Sequence, residues 1–588
     1  MSLSRGTPRR ARRGGISALL PAAFAFAGLV AVLPRPGAAA EPEPPFPFAD
    51  GTQAAGLDFV HFSGMTGKRY FIEMMGSGGA FFDYDRDGDL DLFAVQGTLL
   101  DPAPSASLVF PPPAAPGSRL FRNQLREKGE LRFEDVTAAS GISTHLYGMG
   151  AAVGDFDSDG FEDLFVSGYG QAELWRNRGD GRFENVTAPS GLENRGGRRP
   201  WSMPAVFFDA DGDGDEDLYV GEYVEYSVAD DKPCFSAGGA ADYCGPIAYK
   251  YAQDHLYRNR GDGRFEEISA VLGAEARPAL GAVSLDVDGD GRLELYVAND
   301  GVANFLWRRR GDGTFENLAD LSGCAVNAAG LGEASMGVDA ADADGDGDED
   351  LFMTHLSQET NTFYRNQGEL FFDDDTAPSG LGPPSFPMTS FGTRFLDFDL
   401  DGDLDLVTVS GTIRTIEAQV LAKEPHPLRQ RAQLFRNGGD GHFSEIAPTS
   451  SPLLERTFVG RGLAVGDVDN DGDADLAIFS NAGPLQLWLG QAATATNFVG
   501  FEVVGKNGGP AVGARIGLVL AGGKKVWQRV RRDGSYLSSH DPRLLFGLAA
   551  TAKPVEVLVA WPGGGLEAFP APAPGQYHRL VPGQGSAR

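Results

Sequence analysis

Asp83-Tyr84-Asp85-Arg86-Asp87-Gly88-Asp89-Leu90-Asp91 is the stretch from which the rest of the chain can be read. The pattern Asp-x-Asp-x-Asp-Gly-x-x-Asp or a near variant returns at Asp155, Asp209, Asp286, Asp342, Asp397 and Asp467, at irregular intervals of roughly 54 to 77 residues. Carboxylates at positions one, three, five and nine can converge on one hard cation, together with the carbonyl of position seven. Glycine at position six, kept in all seven copies, lets the backbone turn sharply enough for the ligands to point inward.

The candidate ligands are Asp83, Asp85, Asp87 and Asp91 in the first loop and Asp155, Asp157, Asp159 and Asp163 in the second. They are Asp209, Asp211, Asp213 and Asp217 in the third, and Asp286, Asp288, Asp290 and Glu294 in the fourth. The last three loops offer Asp342, Asp344, Asp346 and Asp350; Asp397, Asp399, Asp401 and Asp405; and Asp467, Asp469, Asp471 and Asp475. Four carboxylates held so close repel one another and raise their own pKa values, which favours a bound metal. Oxygen-only ligation selects calcium over zinc, with up to about seven ions per chain. One such loop could be a plain acidic turn, since Asp and Gly favour turns and solvent. Seven in register argue for a repeated site. An EF-hand needs a bidentate Glu at position twelve and flanking helices, whereas here position twelve is apolar or small in most copies and strands flank the loop.

Those strands are legible in the repeat. A short apolar run precedes each loop, as in Ala205 to Phe208 or Gly281 to Leu285, and another follows, as in Asp217 to Val220. A third comes at Leu174-Trp175-Arg176-Asn177 or Leu256-Tyr257-Arg258-Asn259, and a Gly-Asp-Gly turn leads to a fourth, as in Arg182 to Val186. Four strands make one propeller blade, and seven units suggest a ring. The seventh unit stops after Leu485 to Leu489 with no fourth strand. Phe48-Ala49-Asp50-Gly51-Thr52 with Gly56-Leu57 matches Phe133-Glu134-Asp135-Val136-Thr137 with Gly141-Ile142, the end of the first blade. The N-terminal strand is therefore expected to complete blade seven and leave no free blade edge. The fold class read here is all-β: a seven-bladed β-propeller over residues 41–492, a small C-terminal β domain over 497–582 and a tail over 583–588.

The chain has 588 residues, 42 % of them hydrophobic, with 80 Gly and 37 Pro, which fits many short strands joined by turns. Seven divalent ions would offset about half of the formal charge of −31, and so acidic a surface argues against binding nucleic acid. Residues 1–40 read as a signal peptide, with basic Arg5, Arg9, Arg10, Arg12 and Arg13, an apolar Ile16 to Leu33 and small Ala38-Ala39-Ala40. The apolar stretch is also near spanning length, so an uncleaved anchor is the alternative; no later segment is long and apolar enough to span a membrane. The expected location is secreted, periplasmic or cell surface.

Cys234 and Cys244 lie in an insertion within the third unit and are the expected disulfide, leaving Cys324 as a buried thiol. Arg-Gly-Asp occurs at Arg178 to Asp180, Arg260 to Asp262 and Arg310 to Asp312, each time in the hairpin before the fourth strand. The equivalent turn at Asn437-Gly438-Gly439-Asp440-Gly441 lacks the arginine, so turn geometry and not an adhesion triplet is what repeats.

These loops, joined to Leu-Tyr-Arg-Asn and Gly-Asp-Gly-x-Phe segments, resemble FG-GAP or VCBS repeats, the blades of integrin alpha-chain propellers. Tyr243-Cys244-Gly245-Pro246, Glu359 to Asn366 and Gly460-Arg461-Gly462-Leu463-Ala464 resemble the cartilage acidic protein family. Gly513-Ala514-Arg515, Gly534-Ser535-Tyr536-Leu537-Ser538, Asp541-Pro542-Arg543, Phe546-Gly547-Leu548 and Trp561-Pro562 resemble its ASPIC and UnbV domain. The resemblance implies an exported, calcium-loaded propeller. Two positions depart from it: Glu294 stands where the sibling loops have Asp, and Pro562-Gly563-Gly564 replaces a Ser-Gly pair.

A search for catalytic chemistry returns little. No two histidines fall three to five residues apart, and neither a Gly-x-Ser-x-Gly elbow nor a phosphate-binding Gly-Lys-Ser/Thr loop is present. His355, Arg461 and Arg515 are the candidate ligand contacts outside the acidic loops. The first reading is a binding or adhesion module whose loop face presents a site to an extracellular or periplasmic protein or glycan. The alternative is a secreted enzyme working at the channel mouth, with His355 among neighbouring carboxylates.

Overall fold

Seven four-stranded antiparallel sheets follow one another along the chain in a computed structural model. It describes residues 47–588 except 101–107, 114–116, 194–198, 236–238, 240, 425 and 495; the expected signal peptide lies outside the described residues. Blade 2 shows the pattern: Tyr147–Gly154, Asp163–Tyr169, Glu173–Asn177 and Phe183–Asn185 pair in that order. Its first two strands are buried along their whole length, so they read as near-continuous apolar runs. The short fourth strand keeps Phe183 inside and leaves Glu184 and Asn185 in water. Neighbouring blades share cores: Phe82, Val95 and Leu120 of blade 1 pack in one cluster with Val153, Leu164 and Trp175 of blade 2.

Phe48–Asp50 forms the fourth strand of blade 7 as expected, with Phe48 opposite Gly490 and Asp50 opposite Trp488. The Arg-Gly-Asp sites occupy the hairpins predicted for them. Arg178, Arg260 and Arg310 each donate their N–H to the carbonyl four residues on, as Gly438 does without an arginine.

Beyond the propeller, residues 498–587 form two sheets on a shared core of Val499, Phe501, Ile516, Leu518, Phe546, Val557 and Val559. In one, Phe498–Val503 pairs antiparallel with Leu544–Gly547 and parallel with Tyr577–Leu580. The other has five strands, ordered Lys525–Arg529, Arg515–Leu520, Pro554–Ala560, Leu566–Pro570 and Ser586–Ala587.

Between the strands Lys525–Arg529 and Leu544–Gly547 the chain enters the propeller, a feature the sequence reading did not foresee. Ser539 and Leu537 donate or accept backbone bonds with Gly79 and Phe81 of blade 1 and Ala151 of blade 2. Ser535 exchanges bonds with Val338 of blade 5, and its Oγ accepts from Thr393 of blade 6. Asp533 takes the Ser284 N–H of blade 4, and His540 Nδ1 that of Val465 in blade 7. Blade 3 is reached by Arg532, which pairs with Glu216 at 2.8 Å. One segment thus contacts all seven blades and fills the channel they surround. Its tip, Tyr536, is fully buried against Phe391, with ring centroids 4.9 Å apart, and donates to the Met75 carbonyl.

Candidate metal centres

Each acidic loop joins the first and second strands of its blade, and the first, second, third, sixth and seventh share one hydrogen-bond scheme. In the first loop Asp83 Oδ1 accepts the Asp87 N–H and Oδ2 the Gly88 N–H, at 3.1 and 2.9 Å. Gly88 has φ +94°, a left-handed conformation that an L side chain resists, which is why position six keeps its glycine. The position-nine carboxylate closes the loop: Asp91 Oδ2 takes the Tyr84 N–H and Oδ1 the Asn123 N–H. Asp163, Asp217, Asp350, Asp405 and Asp475 repeat both bonds.

Acceptor capacity remains at position three. One oxygen of Asp85, Asp157, Asp288 or Asp399 is held by an arginine from the third strand, as Arg122 Nε holds Asp85 Oδ2 at 2.6 Å. The other oxygen, Oδ1 of Asp85, Asp157, Asp211, Asp288, Asp399 and Asp469, is buried with no hydrogen-bond partner, as are Oδ1 of Asp286 and Asp342. A buried carboxylate oxygen without a donor is costly, and a cation removes that cost.

The carboxylates converge as a ligand set would. Asp83, Asp85 and Asp91 can bring one oxygen each within 4.8 Å of one another, as can Asp155, Asp157 and Asp163, and Asp209, Asp211 and Asp217. The fourth loop differs, grouping Asp286, Asp288 and Asp290. There Glu294 keeps the closing bond from the Val287 N–H, while its other oxygen lies 3.8 Å from Arg308. Position five faces arginine as well: Asp87 pairs with Arg122 and Asp159 with Arg176.

Burial, with neighbouring carboxylates adding to it, pushes Asp83 and Asp155 up to about 7. Burial likewise pushes Asp217 to about 7, Glu294 to about 8 and Asp342 to about 6. Without a counter-cation these loops would hold protons near neutrality, and a divalent ion would displace them.

Two recurrent residues carry roles that the sequence reading missed. The asparagine ending the third strand reaches across to the neighbouring blade: Asn177 Nδ2 donates to the Tyr84 carbonyl of blade 1 and to Glu162 of its own loop. Asn259, Asn366 and Asn437 repeat this, and Asn123 donates to Val468, joining blade 1 to blade 7. The Leu-Tyr-Arg-Asn repeat was visible, but nothing local shows where its last side chain points. Asn177→Ala would leave two buried carbonyls unpaired, and we expect a loss of about 1–3 kcal/mol by urea denaturation. The exposed Asn185 serves as the control.

The second is position eight. Glu162 Oε2 accepts the Asp83 N–H of the preceding blade, Glu216 that of Asp155 and Glu349 that of Asp286, at 3.2, 2.7 and 3.0 Å. The same glutamates face the channel segment and the strand before it: Arg532 of the segment pairs with Glu162 and Glu216, and Arg529 at the strand's end with Glu349. Burial opposes ionisation of Glu349, but Arg529 and Arg531 hold its pKa below the ordinary value.

The C-terminal domain packs on part of the loop face, the face expected to present a site to a partner. Asn507 Nδ2 donates to Asp155, Tyr577 Oη to Asp467 and Arg515 to the Gly347 carbonyl. The channel-mouth reading changes. His355 is 1 % exposed, its ring nitrogens make no hydrogen bond, and the Glu333 carboxylate lies 3.8 Å away. Burial pushes it down to about 3, so it stays neutral. Arg461 is fully buried inside the ring, donating to Met74, Gly411 and Gly460 carbonyls with the Phe391 ring 4.0 Å from its guanidinium. Cys234 and Cys244 are joined, and Cys324 is a buried free thiol.

With this geometry in view, the FG-GAP-like repeat family matches residues 155–220, 243–297, 286–353, 342–408 and 426–478, and the ASPIC and UnbV family matches 504–587. Cartilage acidic protein 1 of Mus musculus is 25 % identical over 486 residues, 71 % of this chain and 70 % of that protein. The Homo sapiens protein is 26 % identical over 488 residues, 71 % and 69 %. The chain carries FG-GAP-like repeats and an ASPIC and UnbV domain and is distantly similar to cartilage acidic protein 1. An Agrocybe aegerita lectin specific for non-reducing terminal N-acetylglucosamine aligns at 18 % identity and TM-score 0.34, covering 63 % of this chain and 87 % of its own. BBS1N, solved in complex with ARL6DN, aligns at 10 % and TM-score 0.37, covering 76 % and 97 %. No helix among the described residues of this chain is long and apolar enough to cross a membrane.

Proposed function

We propose that this chain is an exported, calcium-loaded β-propeller that serves as a binding or adhesion module for an extracellular or periplasmic protein or glycan. The observation that carries the calcium reading is the set of partnerless buried oxygens at position three of six loops. The channel segment supports a binding role over an enzymatic one, because it occupies the place where a propeller enzyme would keep its substrate.

With one face partly under the C-terminal domain, the partner's face is the opposite one, where second and third strands are joined. There the disulfide-closed insertion of blade 3 exposes Phe235 and Ile247, 65 % and 88 % accessible. Exposed apolar groups on a braced loop are suited to partner contact. The test is retention of the calcium-loaded protein on arrays of glycans and extracellular proteins, comparing wild type with a Phe235→Ser, Ile247→Ser double variant. Binding lost in the double variant supports the assignment. Equal retention of both proteins, or of neither, sinks it.

A further inference from the structure

The position-eight pattern has a gap. Asp83, Asp155 and Asp286 give their N–H to a glutamate of the next blade, and Asp467 gives its own to Asp541 of the channel segment. For Asp342 the residue in that place is Leu404, which brings no carboxylate. A cavity of about 60 Å³ lies there, lined by Asp342, Leu404, Arg394, Arg515, Arg531 and Trp527 among others.

The two other loops without a position-eight acid leave no such space. Gly547 packs so tightly on Asp397 that an added Cβ would lie 2.0 Å from its Oδ2, and the Asp209 loop stands in solvent with Gly212, Asp213 and Gly214 exposed.

Of the acids near the cavity, Asp342 and Asp533 each keep one oxygen without a hydrogen bond, and the others are taken. Glu349 is already engaged by Arg529 and the Asp286 N–H, and Asp339 by Arg394, Arg531 and the Phe395 N–H. Arg531 has a side chain 6 % exposed, and its Nη1 makes no hydrogen bond, with Asp533 Oδ1 3.8 Å away. Arg515 stacks over Trp527 at 5.3 Å and spends one donor on a carbonyl. Guanidinium groups lining one small space beside an amide N–H suit a planar anion.

We infer that this cavity binds a small carboxylate, which stands where the glutamate of the sibling blades stands and takes the Asp342 N–H together with an arginine. The volume holds about four waters, or the four heavy atoms of acetate. This site does not depend on the partner-binding reading above.

The test uses the full calcium-loaded chain, with acetate as probe and chloride at matched ionic strength as control. Saturation transfer to the acetate methyl and the melting temperature are both followed through a titration. Saturable acetate binding is expected, about tenfold weaker in Leu404→Glu, whose own carboxylate fills the gap, and in Arg515→Met. Leu404→Glu should also melt higher than wild type without acetate. No saturable binding by wild type, an equal response to chloride, or undiminished binding in both variants would overturn the assignment.

Discussion

Ion-depleted protein is expected to melt more than about 10 °C below the calcium-loaded form, because each ion held at a hundredfold its dissociation constant stabilises the folded state by about 2.7 kcal/mol. A few such contributions match the whole net stability of an ordinary domain. The pH dependence gives a second handle. Burial raises Asp83 and Asp155 to about 7 in the folded chain, whereas an unfolded aspartate titrates near 3.9. A group raised on folding contributes stability that is full below its unfolded pKa and lost as pH climbs through the folded one. Ion-depleted protein should therefore be less stable at pH 8 than at pH 5.5, and the stabilisation by calcium should widen over that window. Scanning calorimetry of dialysed and calcium-loaded samples at the two pH values, with metal content by elemental analysis, checks both statements. Equal melting temperatures with and without calcium would mean the loops are acidic turns.

Removal of Arg532 is expected to be the most damaging single change outside the loops. Its guanidinium is 4 % exposed and pairs with Glu162 at 2.7 Å and Glu216 at 2.8 Å. Arg532→Met would leave two desolvated carboxylates without a counter-charge, costing about 3–5 kcal/mol. Those glutamates also receive the Asp83 and Asp155 N–H groups, so the first two loops should lose calcium affinity along with stability. Arg532→Lys keeps the charge without the fork that reaches both acids, and should fall between. If a urea midpoint places Arg532→Met within about 1 kcal/mol of wild type, the segment is a passive filler of the channel.

The blades were legible because everything that makes one lies within some sixty residues: alternating runs, turn glycines and the acidic loop. The closing strand was legible too, since Phe48-Ala49-Asp50 copies Phe133-Glu134-Asp135. The channel segment was not. Gly534-Ser535-Tyr536-Leu537-Ser538 looks like a polar turn, and its partners at Gly79, Ala151 and Val338 stand far away in sequence. Arg515 and Arg461 were candidate ligand contacts; one lines a cavity beside a loop and the other lies buried inside the ring. The candidate metal residues were found from spacing alone. Their unequal duties, position nine closing the loop and position three keeping a free oxygen, depend on backbone N–H directions that spacing does not encode.

The pairing of Phe48–Asp50 with the last blade also fixes an order of assembly. Thr52 bonds to Leu487 across a separation of 435 residues, so this early strand waits for a late one. During synthesis blade 7 has an open edge, and closing so long a loop is slow even where its entropy cost is modest. The channel segment emerges later still, after the strands that surround it. Chains truncated before Gln486 should therefore remain open arcs with exposed edges, dependent on chaperones until the ring is shut.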